Sequence, residues 1–341
     1  MLPIQRCTIL SVITRVEHLK KYFPVQKSFL ERLFTRTMNY VKAVDDINFS
    51  IRRGEVFTLA GESGCGKTTT GRLLVRLLEP TSGKIFFDGT DITKLKAEKL
   101  RLFRRKMQII FQDPYASLSP RMRIGDAVGH PLQIHNLARG AEKKKRVLEI
   151  LDKVGLTPPK QFINSYPHQL SGGQRQRVAM ARSIILRPEF IVADEPVSMI
   201  DVSIRTTIID LMLSLRKELG LTCLFITHDL AVAKYISDRI AIMYLGKIVE
   251  IGNKRALFSN PLHPYTQALL SAIPVPNPKP KRKKIELKGE VPSAINIPSG
   301  CRFHPRCPYK VNECSTEEPQ LMELEKDHFV ACICAGSPRS D

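Results

Sequence analysis

A run of residues in the first quarter of the chain has the spacing G-x-x-x-x-G-K-[ST], which suits the binding of nucleotide phosphates. Glycines let the backbone turn tightly, so that its N–H groups converge on phosphate oxygens. The lysine of this pattern reaches the β- and γ-phosphates, and the hydroxyl after it binds Mg²⁺. The predicted phosphate loop and its ATP-binding residues are Gly61, Glu62, Ser63, Gly64, Cys65, Gly66, Lys67, Thr68 and Thr69.

A second motif places two carboxylates directly after an apolar run, residues 190–193. A buried strand that ends in this way beside a phosphate loop brings its carboxylates to the bound phosphates. We therefore expect Asp194 to hold Mg²⁺, directly or through water. We expect Glu195 to act as the general base on the attacking water.

A third motif, Leu-Ser-Gly-Gly-Gln, precedes a helical pattern over residues 175–182. Ser171 is a candidate N-cap, because its side-chain oxygen can accept a backbone N–H of the first turn. Gly172 and Gly173 leave room for a γ-phosphate to approach the helix N-terminus, and Gln174 completes the motif. A simple helix cap is the alternative, but a cap alone does not need two glycines and a glutamine.

The elements that must position these motifs alternate between strand and helix. A strand pattern over residues 55–60 enters the phosphate loop, and a helical pattern over 69–78 leaves it. Strand and helix patterns alternate again after residue 187, and a hairpin follows around residues 239–251. The sequence therefore predicts an α/β core with a mostly parallel sheet. Residues 1–15 are expected to form a leader.

Phosphate loop, Leu-Ser-Gly-Gly-Gln and an apolar strand ending in Asp-Glu, in this order, resemble an ABC-type ATPase. The resemblance implies an ATPase domain over residues 16–252 with a RecA-like core. It also implies an antiparallel β subdomain and a helical signature subdomain at about 113–186. ATP and Mg²⁺ are the implied ligands, and hydrolysis to ADP and phosphate is the implied reaction.

The same resemblance assigns further roles to single residues. Gln112 matches the glutamine that contacts Mg²⁺ and the attacking water, and His228 matches the histidine near the γ-phosphate. Asp201 matches the loop that contacts the opposite subunit, although the preceding Met-Ile replaces the usual Ala-Leu. Phe23 matches the aromatic residue that stacks on adenine, with Tyr22 as the alternative.

Two longer segments narrow the resemblance, which covers about residues 16–335. Residues 111–121 (FQDPYASLSPR) and 260–270 (NPLHPYTQALL) are similar to ATPase subunits of oligopeptide and dipeptide importers. The solute stays open, because the family also includes carriers of nickel and of oligosaccharides.

In such importers two ATPase domains meet head to tail, and ATP lies between the phosphate loop of one and the signature of the other. The implied partners are two integral-membrane permease subunits, a second related ATPase and an extracytoplasmic solute-binding protein. The helical segment after Gln112 would dock on the permeases. The implied location is peripheral, on the cytoplasmic side of the cell membrane.

The composition is consistent with this assignment but allows one alternative. The 341 residues carry a formal net charge of +20, which also suits nucleic-acid binding. No recognisable nucleic-acid module accompanies the charge, so we expect no nucleic-acid partner. The alternative is a soluble ABC ATPase that acts on nucleic acid or ribosomes. No apolar run approaches the roughly 20 residues of a membrane span.

The C-terminal region, residues 253–341, begins with the importer-type segment and continues in a basic, proline-rich linker at 274–284. A small cysteine-rich unit over 301–334 is predicted to follow. Four thiolates suit Zn²⁺ or an iron–sulfur cluster, and the resemblance favours [4Fe–4S]. Cysteines without any metal are the alternative, and Cys334 could replace the last ligand. The candidate ligands are Cys301, Cys307, Cys314 and Cys332.

Overall fold

The computed structural model describes residues 11–25, 39–273, 285, 287 and 289–335. Its strands, in chain order, are β1 (Val12–Pro24), β2 (Tyr40–Arg52), β3 (Val56–Ala60), β4 (Ser82–Phe87), β5 (Thr90–Asp91), β6 (Met107–Ile110), β7 (Phe190–Asp194), β8 (Thr222–Thr227), β9 (Arg239–Tyr244), β10 (Lys247–Asn253), β11 (Met322–Glu325) and β12 (His328–Val330). Its α-helices are α1 (Lys67–Leu74), α2 (Ala97–Lys106), α3 (Pro114–Ser117), α4 (Ile124–Ile134), α5 (Gly140–Lys153), α6 (Pro159–Phe162), α7 (Gly172–Ile184), α8 (Val202–Leu219), α9 (Leu230–Ile236), α10 (Lys254–Ser259) and α11 (Pro264–Ser271).

The main sheet has the strand order β11-β12-β10-β9-β3-β8-β7-β6. Strands β9, β3, β8, β7 and β6 run parallel, whereas β10, β12 and β11 are antiparallel to their neighbours. Every residue of β3, β7 and β8 is buried, as expected for parallel strands covered on both faces. The predicted α/β core with a mostly parallel sheet is therefore confirmed. Because parallel strands end at the same edge, the segments after β3 and β7 lie together.

A second, antiparallel sheet has the order β2-β1-β4-β5. Its inner face buries alternate residues of β2, namely Ile47, Phe49 and Ile51. It packs on the main sheet partly through Phe49 and Phe57, whose rings stack with centroids 5.4 Å apart. The first strand begins at Val12, earlier than the predicted end of the leader at residue 15. Residues 1–10 of that predicted leader lie outside the described residues.

Helices α3 to α7 occupy the interval between β6 and β7, where the helical subdomain is predicted. Helices α4, α5 and α7 share one apolar core, because their buried residues recur at helical spacing. Members of this core include Val128, Leu132, Val147, Leu151 and Val178. Within the described part of the chain, none of the helices combines the length and the hydrophobicity that crossing a membrane requires.

The structure does not support the small cysteine-rich C-terminal unit that the sequence predicts. Strand β12 pairs with β10 and β11 with β12, so both extend the main sheet. Phe303 is buried with Tyr244 and Tyr265, and its ring centroid lies 5.3 Å from each of theirs. A short segment with few apolar residues cannot bury a core of its own, and so it uses the core of the ATPase domain. The predicted linker at 274–284 lies outside the described residues.

A buried ion pair between His328 and Glu250 holds strand β12 against β10. His328 Nε2 lies 2.8 Å from Glu250 Oε1, and both side chains are fully buried. Glu250 also accepts the backbone N–H groups of Leu262 and His263, each at 2.9 Å. Burial lowers the pKa of His328, but the hydrogen bond and the charge of Glu250 outweigh it, so the pKa lies above its usual 6.5.

We expect the pair to make stability depend on pH. A raised pKa means that the folded chain holds the proton more tightly than the unfolded chain, so the contribution is complete below pH 6.5. It is lost as the pH rises through the folded-state pKa. His328→Gln should cost about 3 kcal/mol of unfolding free energy at low pH and progressively less at high pH. Urea denaturation across pH 5.5–9 measures this.

His130→Gln, a change of an exposed histidine on α4, is the matched control and should leave the pH dependence intact. A constant difference between wild type and His328→Gln at all pH values would contradict a protonated His328.

Candidate functional site

One cavity of about 600 Å³ lies at the carboxyl edge of the parallel strands. It collects most of the residues that the sequence predicts for nucleotide binding and catalysis. The predicted site residues that line it are Gly61, Glu62, Ser63, Gly64, Gly66, Lys67, Thr68, Thr69, Gln112, Glu195 and His228. Ala43 and Leu269 also line it, and sequence reasoning missed both.

The phosphate loop needs glycine at two positions where strands press on it. Gly66 has φ +108°, and a Cβ there would lie 2.1 Å from the carbonyl oxygen of Ala43. A Cβ at Gly61 would lie 2.2 Å from the carbonyl oxygen of Met243. Since real contacts never come so close, any side chain would push the loop off β2 and β9. The tight packing fixes the direction of the loop amides.

Lys67 begins helix α1 with its side chain directed back over the loop. Its Nζ donates to the carbonyl oxygens of Gly61 and Glu62, at 2.9 and 2.8 Å, and the residue is almost fully buried. An ammonium group held there suits contact with nucleotide phosphates. The N-terminus of α1 adds the positive end of the helix dipole.

The two carboxylates at the end of β7 make different contacts. Asp194 Oδ1 accepts the hydroxyl of Thr68 at 2.8 Å, and burial raises the pKa of Asp194. Glu195 Oε2 lies 3.1 Å from both Gln112 Nε2 and His228 Nδ1. Glu195 also has φ +45°, a left-handed backbone that costs about 1–2 kcal/mol for a residue with a side chain. Such strain collects at functional sites.

The signature residues begin helix α7 in a reciprocal cap. Ser171 Oγ accepts the N–H of Gln174 at 3.3 Å, and Gln174 Oε1 accepts the N–H of Ser171 at 2.9 Å. A Cβ on Gly172 would meet nothing within 4 Å, so the backbone is open to approach there. These residues do not line the cavity of their own chain. Their predicted role toward an opposite subunit remains a prediction.

Asp201 is exposed at the N-terminus of α8, where its side chain caps no helical N–H. Its apolar neighbours Met199 and Val202 are 65% and 74% exposed. Phe23, the predicted adenine-stacking residue, is not among the residues that line the cavity, and its ring centroid lies 5.0 Å from the ammonium of Lys21. The alternative, Tyr22, donates its hydroxyl to Asp45, and adenine stacking by either residue remains a prediction.

The four candidate cysteine ligands line one small cavity with Cys334. Burial, with the neighbouring thiols, raises the pKa of Cys301 to about 12 and that of Cys307 to about 11. Among the described residues, however, no group of three or more His, Cys, Asp or Glu side chains is arranged to hold a metal ion. The structure therefore does not support the predicted iron–sulfur cluster.

Comparison with known proteins shows the family to which this chain belongs. The profile of the family "ABC transporter" matches residues 44–198, and that of "Oligopeptide/dipeptide transporter, C-terminal region" matches residues 249–314. The Bacillus subtilis "Oligopeptide transport ATP-binding protein AppF" is 49% identical over 323 residues, 94% of this chain and 96% of that protein. The chain belongs to the oligopeptide/dipeptide family of ABC transporter ATPases. A "Putative peptide import ATP-binding protein" of Brucella ovis is 52% identical over 86% of this chain and 92% of its own length.

Solved structures agree with this ABC ATPase assignment. The chain is similar to "a post-hydrolysis state of the ATP-binding cassette MJ0796 bound to ADP and Pi", with a TM-score of 0.62 and 30% identity. The alignment covers 71% of this chain and 99% of that one. It is also similar to cbiO1 from Clostridium perfringens, with a TM-score of 0.60 over 73% of this chain. The chain thus has the ABC ATPase fold and is an ATPase of this class.

Proposed function

We propose that this ABC ATPase hydrolyses ATP to drive a membrane importer of di- and oligopeptides. The observation that carries the proposal is the single cavity that joins the phosphate loop to Glu195, Gln112 and His228. The peptide substrate is inferred from the relatives, which are peptide transport and peptide import ATP-binding proteins by name, and from the C-terminal family profile. Nickel or oligosaccharide import would use the same ATPase architecture. A soluble ATPase acting on nucleic acid or ribosomes is not favoured by any of these relatives.

The chain's own residues suggest how the reaction proceeds. Lys67 and the loop amides bind the β- and γ-phosphates and so orient the γ-phosphorus. Glu195 takes a proton from the attacking water, while Gln112 and His228 hold the Glu195 carboxylate in place by hydrogen bonds.

The residues around Asp194 fit a magnesium ion. Thr68 and Asp194 supply a hydroxyl and a buried carboxylate 2.8 Å apart, and Gln112, which lines the same cavity as Thr68, would supply an amide oxygen. Hard oxygen donors of this kind are the ligands that Mg²⁺ uses in nucleotide sites. When bound, the ion would neutralise charge that develops on the phosphates.

The proposal includes an assembly of several chains. We place Ser171–Gln174 on the γ-phosphate bound to a second, related ATPase, with Asp201 at the same contact. Two integral-membrane permeases would dock on the helical segment, and an extracytoplasmic binding protein would select the solute. The ATPase itself would lie peripherally on the cytoplasmic side of the cell membrane, without nucleic acid.

A pull-down tests this assembly. Tagged Glu195→Gln protein with ATP is purified from native membranes, and the bound proteins are identified by mass spectrometry. We expect two polytopic permeases, a sister ATPase and a membrane-anchored binding protein, whose solute is then found by screening with peptides. Recovery of ribosomal proteins without any permease would reject the importer.

An iron–sulfur cluster is a further proposal that rests on the resemblance, since the four cysteines line one cavity but no group of described side chains is arranged to hold a metal ion. We expect protein purified without oxygen to be brown and to contain about four iron atoms per chain, the content of a [4Fe–4S] cluster. Cys301→Ser should lower the iron content, whereas Cys223→Ser, a change of a buried cysteine in β8, should not. Iron-free protein after reconstitution, with Cys301→Ser unchanged, would reject the cluster.

A further inference from the structure

The C-terminal segment over residues 301–307 contacts the phosphate loop, although it is far from it in sequence. We call residues 301–307 the brace. Arg306 donates to both carboxylate oxygens of Glu62, from Nη1 at 2.9 Å and from Nη2 at 3.3 Å. Arg306 is only 8% exposed, and the Glu62 side chain is 28% exposed. A paired, partly desolvated guanidinium–carboxylate contact of this geometry is strong and directional.

A second contact holds the backbone of the same loop residue. The N–H of Glu62 donates to the hydroxyl of Tyr265, a fully buried side chain of helix α11, at 3.0 Å. The ring of Tyr265 packs against Phe303, a residue of the brace. Glu62 is thus fixed at its backbone and at its carboxylate by two C-terminal elements that contact each other.

The brace is itself anchored at its other end. Arg302 donates to the carboxylate of Asp45 in β2 and to the carbonyl oxygen of Leu245, at the turn between β9 and β10. The next residue of that turn, Gly246, donates its N–H to the carbonyl oxygen of Cys65 at 2.9 Å. Arg306 therefore holds the phosphate loop directly, and Arg302 holds two elements that contact the loop.

The negative charge of Glu62 makes its contact with Arg306 important for ligand binding. The Glu62 carboxylate belongs to a loop whose amides would receive several phosphate charges. An uncompensated carboxylate there would repel the phosphates, most strongly where water is partly excluded. Arg306 compensates that charge and at the same time limits the positions of the loop.

We propose that Arg306 is a positioning residue for the nucleotide. It holds the phosphate loop through Glu62 and compensates the charge of the Glu62 carboxylate. The C-terminal segment therefore influences the affinity for ATP. The inference rests on the proposed nucleotide-binding role of the loop. Arg306 acts through Glu62 and touches neither the water nor the γ-phosphate in this scheme. Its removal should therefore change ATP binding much more than the chemical step.

The test is a set of variants of the full-length chain, titrated with a fluorescent ATP analogue and Mg²⁺. Arg306→Gln should weaken binding about 10-fold, the usual effect of losing one charge-assisted contact. KM for ATP should rise by a similar factor, with kcat changed less than about 2-fold. Glu62→Gln removes the ion pair with Arg306 and also the negative charge that repels the phosphates, so we expect only about 3-fold weaker binding of the ATP analogue.

The double variant distinguishes this role from a purely structural one. If Arg306 acts through Glu62, then Glu62→Gln in the Arg306→Gln background should restore affinity to the level of Glu62→Gln alone. A variant that had merely lost folding stability would not be rescued. Unchanged affinity in Arg306→Gln, or a double variant at least as weak as Arg306→Gln, would overturn the proposal.

Two further variants serve as references. Arg52→Gln breaks the 2.9 Å ion pair with Asp327, which also ties the C-terminal strands to β2 but lies away from the loop, and should not change binding. Arg306→Lys keeps the charge and loses the paired geometry. We expect about 3-fold weaker binding, and unchanged binding would overturn the proposal even if Arg306→Gln did not fold.

Lys67→Ala separates this inference from the proposed function. If Lys67→Ala loses ATP while Arg306→Gln binds it normally, only the role of Arg306 is wrong. If Lys67→Ala binds ATP as tightly as the wild type, the loop is not the nucleotide site and the proposed function fails.

Discussion

Glu195→Gln should bind ATP normally and hydrolyse it about 10²–10⁴-fold more slowly, the usual contribution of a general base. The amide keeps the size of the side chain, so the contacts with Gln112 and His228 can be retained in part. It cannot accept the proton of the attacking water. Release of phosphate and binding of a fluorescent ATP analogue, measured on the same preparation, separate the two effects.

Glu218→Gln is the matched control for this change. Glu218 is on α8, its side chain is 56% exposed, and its contact is a surface ion pair with Lys153. We expect its turnover to equal that of the wild type, because exposed pairs of this kind contribute little. Near-normal hydrolysis by Glu195→Gln would remove Glu195 from the role of general base.

Lys67→Ala should weaken ATP binding by at least about 10²-fold, because two charge-assisted phosphate contacts are lost together. The ammonium is held over the loop by the carbonyl oxygens of Gly61 and Glu62, so little ordering is needed when phosphates arrive. Alanine removes the charge and leaves both carbonyl groups without this donor. Equilibrium titration with labelled ATP and Mg²⁺ measures the loss.

Lys99→Ala gives the corresponding control, since it removes the same charge from an exposed position on α2. Its affinity should stay within about 2-fold of the wild type, as expected for a distant, screened charge. Equal losses in the two lysine variants would indicate that net charge, rather than the loop, governs binding.

The sequence predicted the parts of the site that depend on local patterns. The phosphate loop is one continuous segment, and Asp194 and Glu195 follow directly from a buried strand, so the parallel sheet brings them together. Gln112 and His228 were assigned through resemblance, and the structure places both within 3.1 Å of Glu195. Local spacing and strand ends were sufficient for the phosphate loop and the two carboxylates, whereas Gln112 and His228 required the resemblance.

The features that sequence reasoning missed depend on contacts between distant segments. Arg306 is 244 positions after Glu62, and no spacing rule connects an arginine beside a cysteine with a glutamate in a glycine-rich loop. Tyr265 belongs to the importer-type segment, but its hydroxyl contact with Glu62 depends on how α11 packs. Sequence reasoning missed the pairing of β12 with β10 for the same reason, since this pairing leaves no local pattern.

The position of β12 and the brace at the end of the chain has a consequence for synthesis on the ribosome. Strands β3, β8 and β9 can pair once residue 244 has emerged, but β12 can join β10 only after the last strand is made. The Arg306–Glu62 contact is among the last to form, because its partners are so far apart along the chain. A nascent or truncated chain would therefore fold its ATPase core with a loosely held phosphate loop. Tight ATP binding would then distinguish chains that include the brace from those that lack it.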